Sequence, residues 1–227
     1  MKSIHFLFIH GSLKHFSTKT SNFIKYWNKI WKNDFIVSVF AVEHCSNFNT
    51  HRPKEYETVV KEYIKGIYSL SDTTNYNLQK TINEINPDIV IMFDDAFLMN
   101  AAINNVCRKI KIPTMYIQHG EFIQEPVKKN IRINLFFSKV KKYLEFFKFY
   151  VNSKKFNIND CPRLVYKLFR MSVYNESVNP KVQITDFHCD YAAVWNETHR
   201  KNALVYKGYI RENIFIVGNP DGMNDFS

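Results

Sequence analysis

Short apolar runs alternate with amphipathic stretches along most of the chain. Six runs of four to eight residues are largely apolar, a pattern typical of strands that are buried on both faces of a sheet. The predicted strands are Ser3–His10, Phe35–Val42, Asp88–Phe93, Pro113–Gln118, Tyr191–Trp195 and Ile214–Val217.

Apolar residues at helical spacing lie between these runs. The predicted helices are Asn22–Trp31, a region from Lys54 to about Ile85, Ala96–Ile110 and Glu197–Tyr206. Asn86-Pro87 is a stop signal before the third strand, and Asn196 is a predicted N-cap. The alternation of strands and helices predicts an α/β fold, namely a Rossmann-like parallel sheet with helices on both faces.

The alternation is interrupted between about residues 122 and 179. This insertion is basic and aromatic, and it predicts two helices near Ile131–Tyr150 and Pro162–Tyr174. After the last strand, Gly218-Asn219-Pro220 is a turn that leads onward. We therefore expect residues 1–220 to form one domain and residues 221–227 to begin a linker to a second domain. The alternative is a natural C-terminus at the edge of the sheet.

The positive charge is concentrated in the insertion. The chain has a formal net charge of +10, and the segment Lys128–Arg170 holds twelve basic and two acidic residues, a surplus that equals the whole net charge. Phenylalanines and tyrosines lie among these lysines. Such a segment is typical of proteins that bind an anionic membrane surface, because its lysine and arginine side chains bind lipid head groups and its aromatic rings insert at the membrane–water interface. The lysines assigned to this surface, or to a lipid-linked acceptor, are Lys139, Lys141, Lys142 and Lys148.

Two other interpretations of the segment stay open. Its aromatic rings would face the core if the segment were a solvated helical hairpin, and its cations and rings would also suit nucleic acid. Nucleic acid is the least favoured of the three, and we expect no such partner. No stretch approaches the roughly 18 apolar residues that span a bilayer, so we expect a cytoplasmic protein that is soluble or peripheral on the inner membrane face.

Glycine and cysteine usage excludes several classes. The six glycines form neither G-x-G-x-x-G nor the P-loop pattern, which disfavours dinucleotide oxidoreductases and P-loop NTPases. The four cysteines are scattered, and the consecutive His188, Cys189 and Asp190 would point to different faces of an extended chain. We therefore expect no metal site and no disulfide framework.

The most suggestive motif follows the fourth predicted strand. Ligands bind at the carboxyl ends of the strands in open α/β sheets, and His119, Gly120 and Glu121 follow such an end. His119 has a side chain suited to a general base, Gly120 permits a sharp turn, and Glu121 would orient the imidazole or bind a hydroxyl. The alternative is a strand-end histidine whose hydrogen bonds go to the backbone.

Other strand ends offer weaker candidates. His10, Gly11 and Ser12 end the first strand, where glycine exposes backbone N–H groups to a substrate oxygen or phosphate; an ordinary turn is equally consistent. Asp94 and Asp95 follow the third strand as a metal-binding or hydroxyl-binding pair, although capping of the next helix by Asp95 is the favoured interpretation. Asn219, after the last strand, is assigned to the same substrate-binding set.

Four segments together resemble the N-terminal domain of GT-B glycosyltransferases. They are P-D-I-V-I-M-F-D-D (87–95), I-P-T-M-Y-I-Q-H-G-E (112–121), D-Y-A-A-V-W-N-E-T-H-R (190–200) and Y-I-R-E-N-I-F-I-V-G-N-P (209–220). The resemblance is to bacterial enzymes that act on capsule, lipopolysaccharide and teichoic-acid-type polymers. It covers almost the whole chain but depends on short motifs, and the long basic insertion departs from the family.

The resemblance implies an acceptor-binding domain of an enzyme that moves a sugar or polyol phosphate from a nucleotide donor to a saccharide or lipid-linked acceptor. His119 would be the base, and the nucleotide sugar would bind mainly a second domain, so the chain alone is expected to be inactive. No metal or other cofactor is implied. The non-hydrolysing UDP-N-acetylglucosamine epimerases share this architecture and are the nearest alternative enzyme. A non-catalytic domain that binds anionic lipid or polymer through Lys128–Arg170 is the alternative from another class.

Overall fold

A computed structural model describes residues 3–10, 24, 27, 35–42, 64–70, 73–93, 98–118, 144, 147–153, 188–204 and 208–218. Seven strands in this part of the chain form one parallel sheet. The strands are β1 (Ile4–His10), β2 (Phe35–Ala41), β3 (Ile64–Ser69), β4 (Ile89–Met92), β5 (Thr114–Ile117), β6 (Tyr191–Val194) and β7 (Ile214–Ile216). The helices are α1 (Leu78–Ile85), α2 (Leu98–Ile110) and α3 (Glu197–Asn202), with 3-10 turns at Thr74–Tyr76 and Arg211–Asn213.

The strand order is β3-β2-β1-β4-β5-β6-β7. The chain moves outward from β1 through β2 to β3 and then returns to the other side of β1, where β4 begins the second half. The switch point between β1 and β4 is where the connections leave the sheet in opposite directions. Open α/β sheets hold ligands in the crevice at the carboxyl ends of such strands. The predicted Rossmann-like α/β fold is confirmed.

Side chains alternate between two buried faces of the sheet, as strand geometry requires. On one face Leu7 and Ile9 pack with α1, α2 and the helical segment 147–153, which contributes Phe149 and Tyr150. On the other face Phe6 and Phe8 pack with residues that include Ile24 and Trp27, both in helical conformation. Both faces are therefore covered, which explains why the strand sequences are continuously apolar.

The helix ends follow the signals in the sequence. The side chain of Asn196 accepts a hydrogen bond from the backbone N–H of His199 at 3.0 Å, which confirms the predicted N-cap of α3. Asn86 ends α1 in the left-handed region with φ 52°, a conformation that asparagine adopts more readily than most residues. Asn77 caps the start of α1 by accepting from the backbone N–H of Lys80 at 3.2 Å.

One prediction was wrong: the region from Lys54 to about Ile85 is not a continuous helix. It contains β3, and α1 begins only at Leu78. β3 lies at one end of the described sheet and its described side chains are half-buried or exposed, so it lacks the continuous apolar run of the central strands. Gly66 is a further reason, because glycine disfavours a helix interior and a Cβ there would meet the Tyr68 hydroxyl at 2.8 Å.

Candidate functional site

The carboxyl ends of the parallel strands form one rim of the sheet, which we call the carboxyl rim. The register brings these ends to one level, with His10 paired to Ala41, Met92 to Tyr116 and Val194 to Ile216. Most predicted site residues lie outside the described residues. They are Gly11, Ser12, Asp94, Asp95, His119, Gly120, Glu121, Asn219, Lys139, Lys141 and Lys142.

His10 ends β1 at the switch point. Its imidazole is 7% exposed and lies 4.8 Å from the Phe93 ring, with 37° between the planes. Its carbonyl accepts the backbone N–H of Val42 at 2.8 Å, which joins the ends of β1 and β2. The rings of His10 and Phe93 are thus in contact at the position between β1 and β4 where a ligand crevice is expected.

Gln118 and Trp195 join the ends of β5 and β6. The fully buried Gln118 side chain accepts the backbone N–H of Trp195 through Oε1 at 3.1 Å. The Gln118 carbonyl accepts the indole Nε1–H at 3.0 Å, and the Gln118 backbone N–H donates to the Ala193 carbonyl at 2.9 Å. Three hydrogen bonds therefore fix the residue that precedes His119 in the sequence.

The Trp195 indole is half-buried and its position is well determined. Besides donating its Nε1–H to the Gln118 carbonyl, the ring stands perpendicular to the His199 imidazole, with centroids 5.5 Å apart. His199 is held in turn by the Asn196 cap of α3. Sequence reasoning gave Gln118, Trp195 and His199 no site role, although Gln118 precedes His119 and Trp195 ends a predicted strand.

The amino ends of the strands form the opposite rim of the sheet, which we call the amino rim, and aspartate carboxylates accept hydrogen bonds there. Asp190, just before β6, accepts the backbone N–H of Thr114 at 2.8 Å and its hydroxyl at 3.0 Å. Arg108 lies 3.6 Å from the same carboxylate and donates to the His188 carbonyl. Asp88, just before β4, accepts the backbone N–H of His5 at 2.8 Å. Both aspartates thus satisfy a backbone donor near the start of a neighbouring strand, which is a structural task.

These contacts also bear on metal binding. Within the described residues, no group of three or more His, Cys, Asp and Glu side chains is arranged to hold a metal ion. Cys189 donates its backbone N–H to the Tyr209 hydroxyl at 3.2 Å, and Asp190 is engaged with Thr114 and Arg108. The sequence His188-Cys189-Asp190 therefore belongs to the amino rim and not to the candidate site.

Two titratable groups away from the carboxyl rim have shifted pKa values. Burial lowers the pKa of His5, whose Nδ1 lies 3.2 Å from the Asn86 carbonyl and whose Nε2 lies 2.8 Å from the Ser38 hydroxyl. The Asn86 carbonyl only accepts, so Nδ1 carries the proton and Nε2 accepts from Ser38. Burial raises the pKa of the Cys107 thiol to about 12, with Asp190 adding to the shift.

Part of the basic insertion packs against the domain. In segment 147–153, Phe149 is 3% exposed and Tyr150 is fully buried, so these two rings belong to the core. Lys148 is exposed and its Nζ lies 5.3 Å from the centroid of the Tyr76 ring. The Asn152 amide donates to the Asn75 carbonyl at 3.3 Å. The interpretation in which aromatic rings face the core therefore holds for Phe149 and Tyr150.

An open depression lies on the polar face of α1. Its volume is about 510 Å³, and it is lined by Asn77, Gln79, Lys80, Asn83 and Glu84. Lys80 and Glu84 are exposed and 3.9 Å apart. The depression offers polar, solvated side chains and lacks the apolar lining of most small-molecule sites.

No helix within the described residues is long and apolar enough to cross a bilayer. Comparison of the chain with models of protein families gives no match, and comparison with curated proteins gives none either. The function is therefore inferred from the chemistry of the carboxyl rim, which offers imidazole, amide and indole groups at the ends of β1, β5 and β6.

Proposed function

We propose that the chain is the acceptor-binding half of a GT-B glycosyltransferase that acts on cell-envelope saccharides or lipid-linked acceptors. The observation that carries the proposal is the Gln118–Trp195 contact, which fixes the end of β5 immediately before His119 in the sequence. A general base must be held firmly beside its substrate, and a buried residue whose side-chain oxygen, carbonyl and backbone N–H each make one hydrogen bond gives such a support.

In this proposal His119 takes the proton of an acceptor hydroxyl as that oxygen attacks the anomeric carbon of the donor. A carbon–oxygen bond to the acceptor forms and the bond from the anomeric carbon to the phosphate oxygen breaks. The nucleotide takes the electron pair of the broken bond and leaves as an anion. Glu121 orients His119 or binds the acceptor, and His10 lines the cleft beside Phe93. The donor binds mainly to a second domain.

We place the reaction in the cytoplasm, with the protein soluble or peripheral at the inner membrane face. The basic surplus of Lys128–Arg170 supports a contact with anionic lipid. Lys148 is an exposed member of that segment, whereas Phe149 and Tyr150 are buried and do not contribute to such a contact.

The test is a comparison of His119→Ala with His188→Ala in the complete protein that contains this sequence. His188 is a matched control because it lies at the amino rim. Nucleotide release is measured with UDP-glucose, UDP-N-acetylglucosamine, GDP-mannose and CDP-glycerol in the presence of envelope polysaccharide. We expect His119→Ala to lower turnover at least about a hundred-fold and His188→Ala to leave it within a few-fold.

Two results would count against the proposal. Equal turnover of His119→Ala and the unaltered protein would remove His119 as the base. Conversion of UDP-N-acetylglucosamine into its 2-epimer, without transfer to any acceptor, would identify the alternative enzyme of the same architecture. The 227-residue chain alone is expected to give no turnover in either assay.

A further inference from the structure

Exposed apolar side chains are concentrated at one edge of the sheet. Six large apolar residues are exposed among the described residues, and four of them lie between positions 210 and 217: Ile210 at 59%, Phe215 at 47%, Ile216 at 45% and Val217 at 51%. β7 is the last strand in the order of the described sheet, so no described strand lies beyond it. A concentration of exposed apolar surface is typical of a protein–protein contact.

The two edges of the described sheet differ in how well they resist pairing with another strand. Charged residues, proline and glycine within an edge strand hinder such pairing. β3, at the opposite edge, contains the exposed Lys65 and also Gly66. The segment Ile214–Val217 contains no charged residue, no proline and no glycine. The edge at β7 therefore lacks these protective residues.

The hydrogen bonds of β7 determine which of its backbone groups face outward. The backbone N–H of Val217 donates to the Val194 carbonyl at 2.8 Å, so it points toward β6. Backbone groups alternate in direction along a strand, so the N–H and the carbonyl of Ile216 point away from β6. The backbone N–H of Ile214 already donates to the Arg211 carbonyl. Ile216 is therefore the residue of this strand that offers both a donor and an acceptor at the edge.

A second copy of the same strand would satisfy both groups of Ile216. In an antiparallel pair with a two-fold axis at Ile216, the two copies of this residue exchange both N–H···O bonds. Positions at equal distances from the axis then pair, so Phe215 of each copy lies opposite Val217 of the other. Aromatic and β-branched residues form favourable cross-strand pairs. A foreign strand would have to supply such matching residues, whereas a second copy brings them by symmetry.

We propose that the β7 edge, defined as Ile214–Val217, pairs with the same edge of a second copy, so that one sheet continues across a dimer. The exposed apolar side chains of residues 210–217 present roughly 300–400 Å² per copy. Two copies therefore bury less than the 1,200 Å² or so that is typical of stable complexes. The dimer is consequently weak and reversible.

The experiment measures self-association of the 227-residue chain by sedimentation equilibrium, from about 5 to about 500 µM. The average mass of the unaltered chain is expected to rise with concentration from that of a monomer toward that of a dimer. Ile216→Lys places two like charges opposite each other and is expected to weaken association at least about ten-fold. Ile4→Lys is the matched control, because Ile4 is 44% exposed but lies at the amino end of the central strand β1; its association should stay within about two-fold.

A proline variant tests the backbone contact separately from the side chain. Ile216→Pro removes the outward N–H and leaves the bonds of β7 to β6 unchanged, and edge strands tolerate proline at such a position. We expect association to weaken at least about ten-fold here too. Urea unfolding of each variant identifies any loss of fold, and each of the two variants keeps the test valid if the other does not fold.

A cysteine cross-link tests the register of the pairing in a Cys45→Ser/Cys161→Ser background. Ile216→Cys places two thiols across the axis, with Cα atoms about 5.5 Å apart, which lies inside the disulfide range of about 4.4–6.8 Å. Phe215→Cys offsets the two thiols by two residues, or about 7 Å along the strand. Disulfide-linked dimers should therefore form at least about five-fold faster from Ile216→Cys.

Three outcomes would overturn the inference. They are a monomer throughout the concentration range, association that neither Ile216→Lys nor Ile216→Pro weakens more than Ile4→Lys does, and equal cross-linking of the two cysteine variants.

Discussion

Replacing Asp190 by alanine tests whether aspartates stabilise the fold by accepting hydrogen bonds at the amino rim. Thr114 is fully buried, and its backbone N–H and hydroxyl both donate to Asp190 Oδ2. A buried backbone N–H that loses its acceptor costs about 1–3 kcal/mol. The hydroxyl adds about 1 kcal/mol, since it still accepts from the Asp190 backbone N–H. The ion pair with Arg108 is partly exposed and adds at most about 1 kcal/mol.

We therefore expect Asp190→Ala to lower the free energy of unfolding by about 2–5 kcal/mol. Asp190→Asn keeps an acceptor oxygen and is expected to cost about 1 kcal/mol. Glu197→Ala is the matched control, because Glu197 is an exposed acid whose contact is the Arg200 ion pair at 2.7 Å; its effect should stay within about 0.5 kcal/mol. The assay is urea unfolding with linear extrapolation. A loss in Asp190→Ala no larger than in Glu197→Ala would refute the reasoning.

Three further predictions concern other parts of the chain. Burial lowers the pKa of His5 in the folded state, so the folded protein binds fewer protons than the unfolded chain just below pH 6.5. The free energy of unfolding should therefore fall as the pH drops through this window. In urea titrations, His5→Gln should reduce this dependence of the unfolding free energy on pH. Gln118→Leu removes the acceptor for the Trp195 N–H and should cost about 1–3 kcal/mol of unfolding free energy, with turnover reduced in the complete protein. In a Cys45→Ser/Cys161→Ser variant, the remaining thiols are the buried Cys107 and Cys189, which should react with a disulfide reagent at pH 8 only after urea is added. The reason is that both are buried and the pKa of Cys107 is about 12. Reaction of either thiol in the native state would contradict this prediction.

The central strands could be predicted from the sequence because burial on both faces leaves a continuous apolar signature. β1, β2, β4, β5 and β6 fall within predicted runs, and so does the end strand β7, whose run is apolar in the sequence although Phe215 and Ile216 are exposed. β3 was missed for the opposite reason. It pairs with β2 alone in the described sheet, so its side chains are only half-buried, and Ile64 and Ile67 also fit a helical spacing. The presence of Gly66 in the supposed helix was a signal against a continuous helix.

The candidate site was less accessible to sequence reasoning. The importance of strand ends was predictable, because a parallel sheet places its ligand-binding loops at the carboxyl rim. The strand order was not, and it is this order that puts His10 at the switch point beside Phe93. The Gln118–Trp195 contact joins residues 77 positions apart. Local spacing carries no information about such a pair, since the contact depends on β5 and β6 becoming neighbours.

The two rims of the sheet differ in the contacts that their side chains make. At the amino rim, Asp88 and Asp190 hold backbone donors of β1 and β5. At the carboxyl rim, the side chains of His10 and Trp195 follow β1 and β6, which are separated by β4 and β5. Three strand spacings amount to about 14 Å. A single sugar ring is shorter than this distance, so a ligand that contacts both residues has several rings. Where the proposed acceptor contacts both residues, its affinity in a calorimetric titration should rise from monosaccharide to trisaccharide, and a plateau at the monosaccharide would show that His10 and Trp195 serve separate sites.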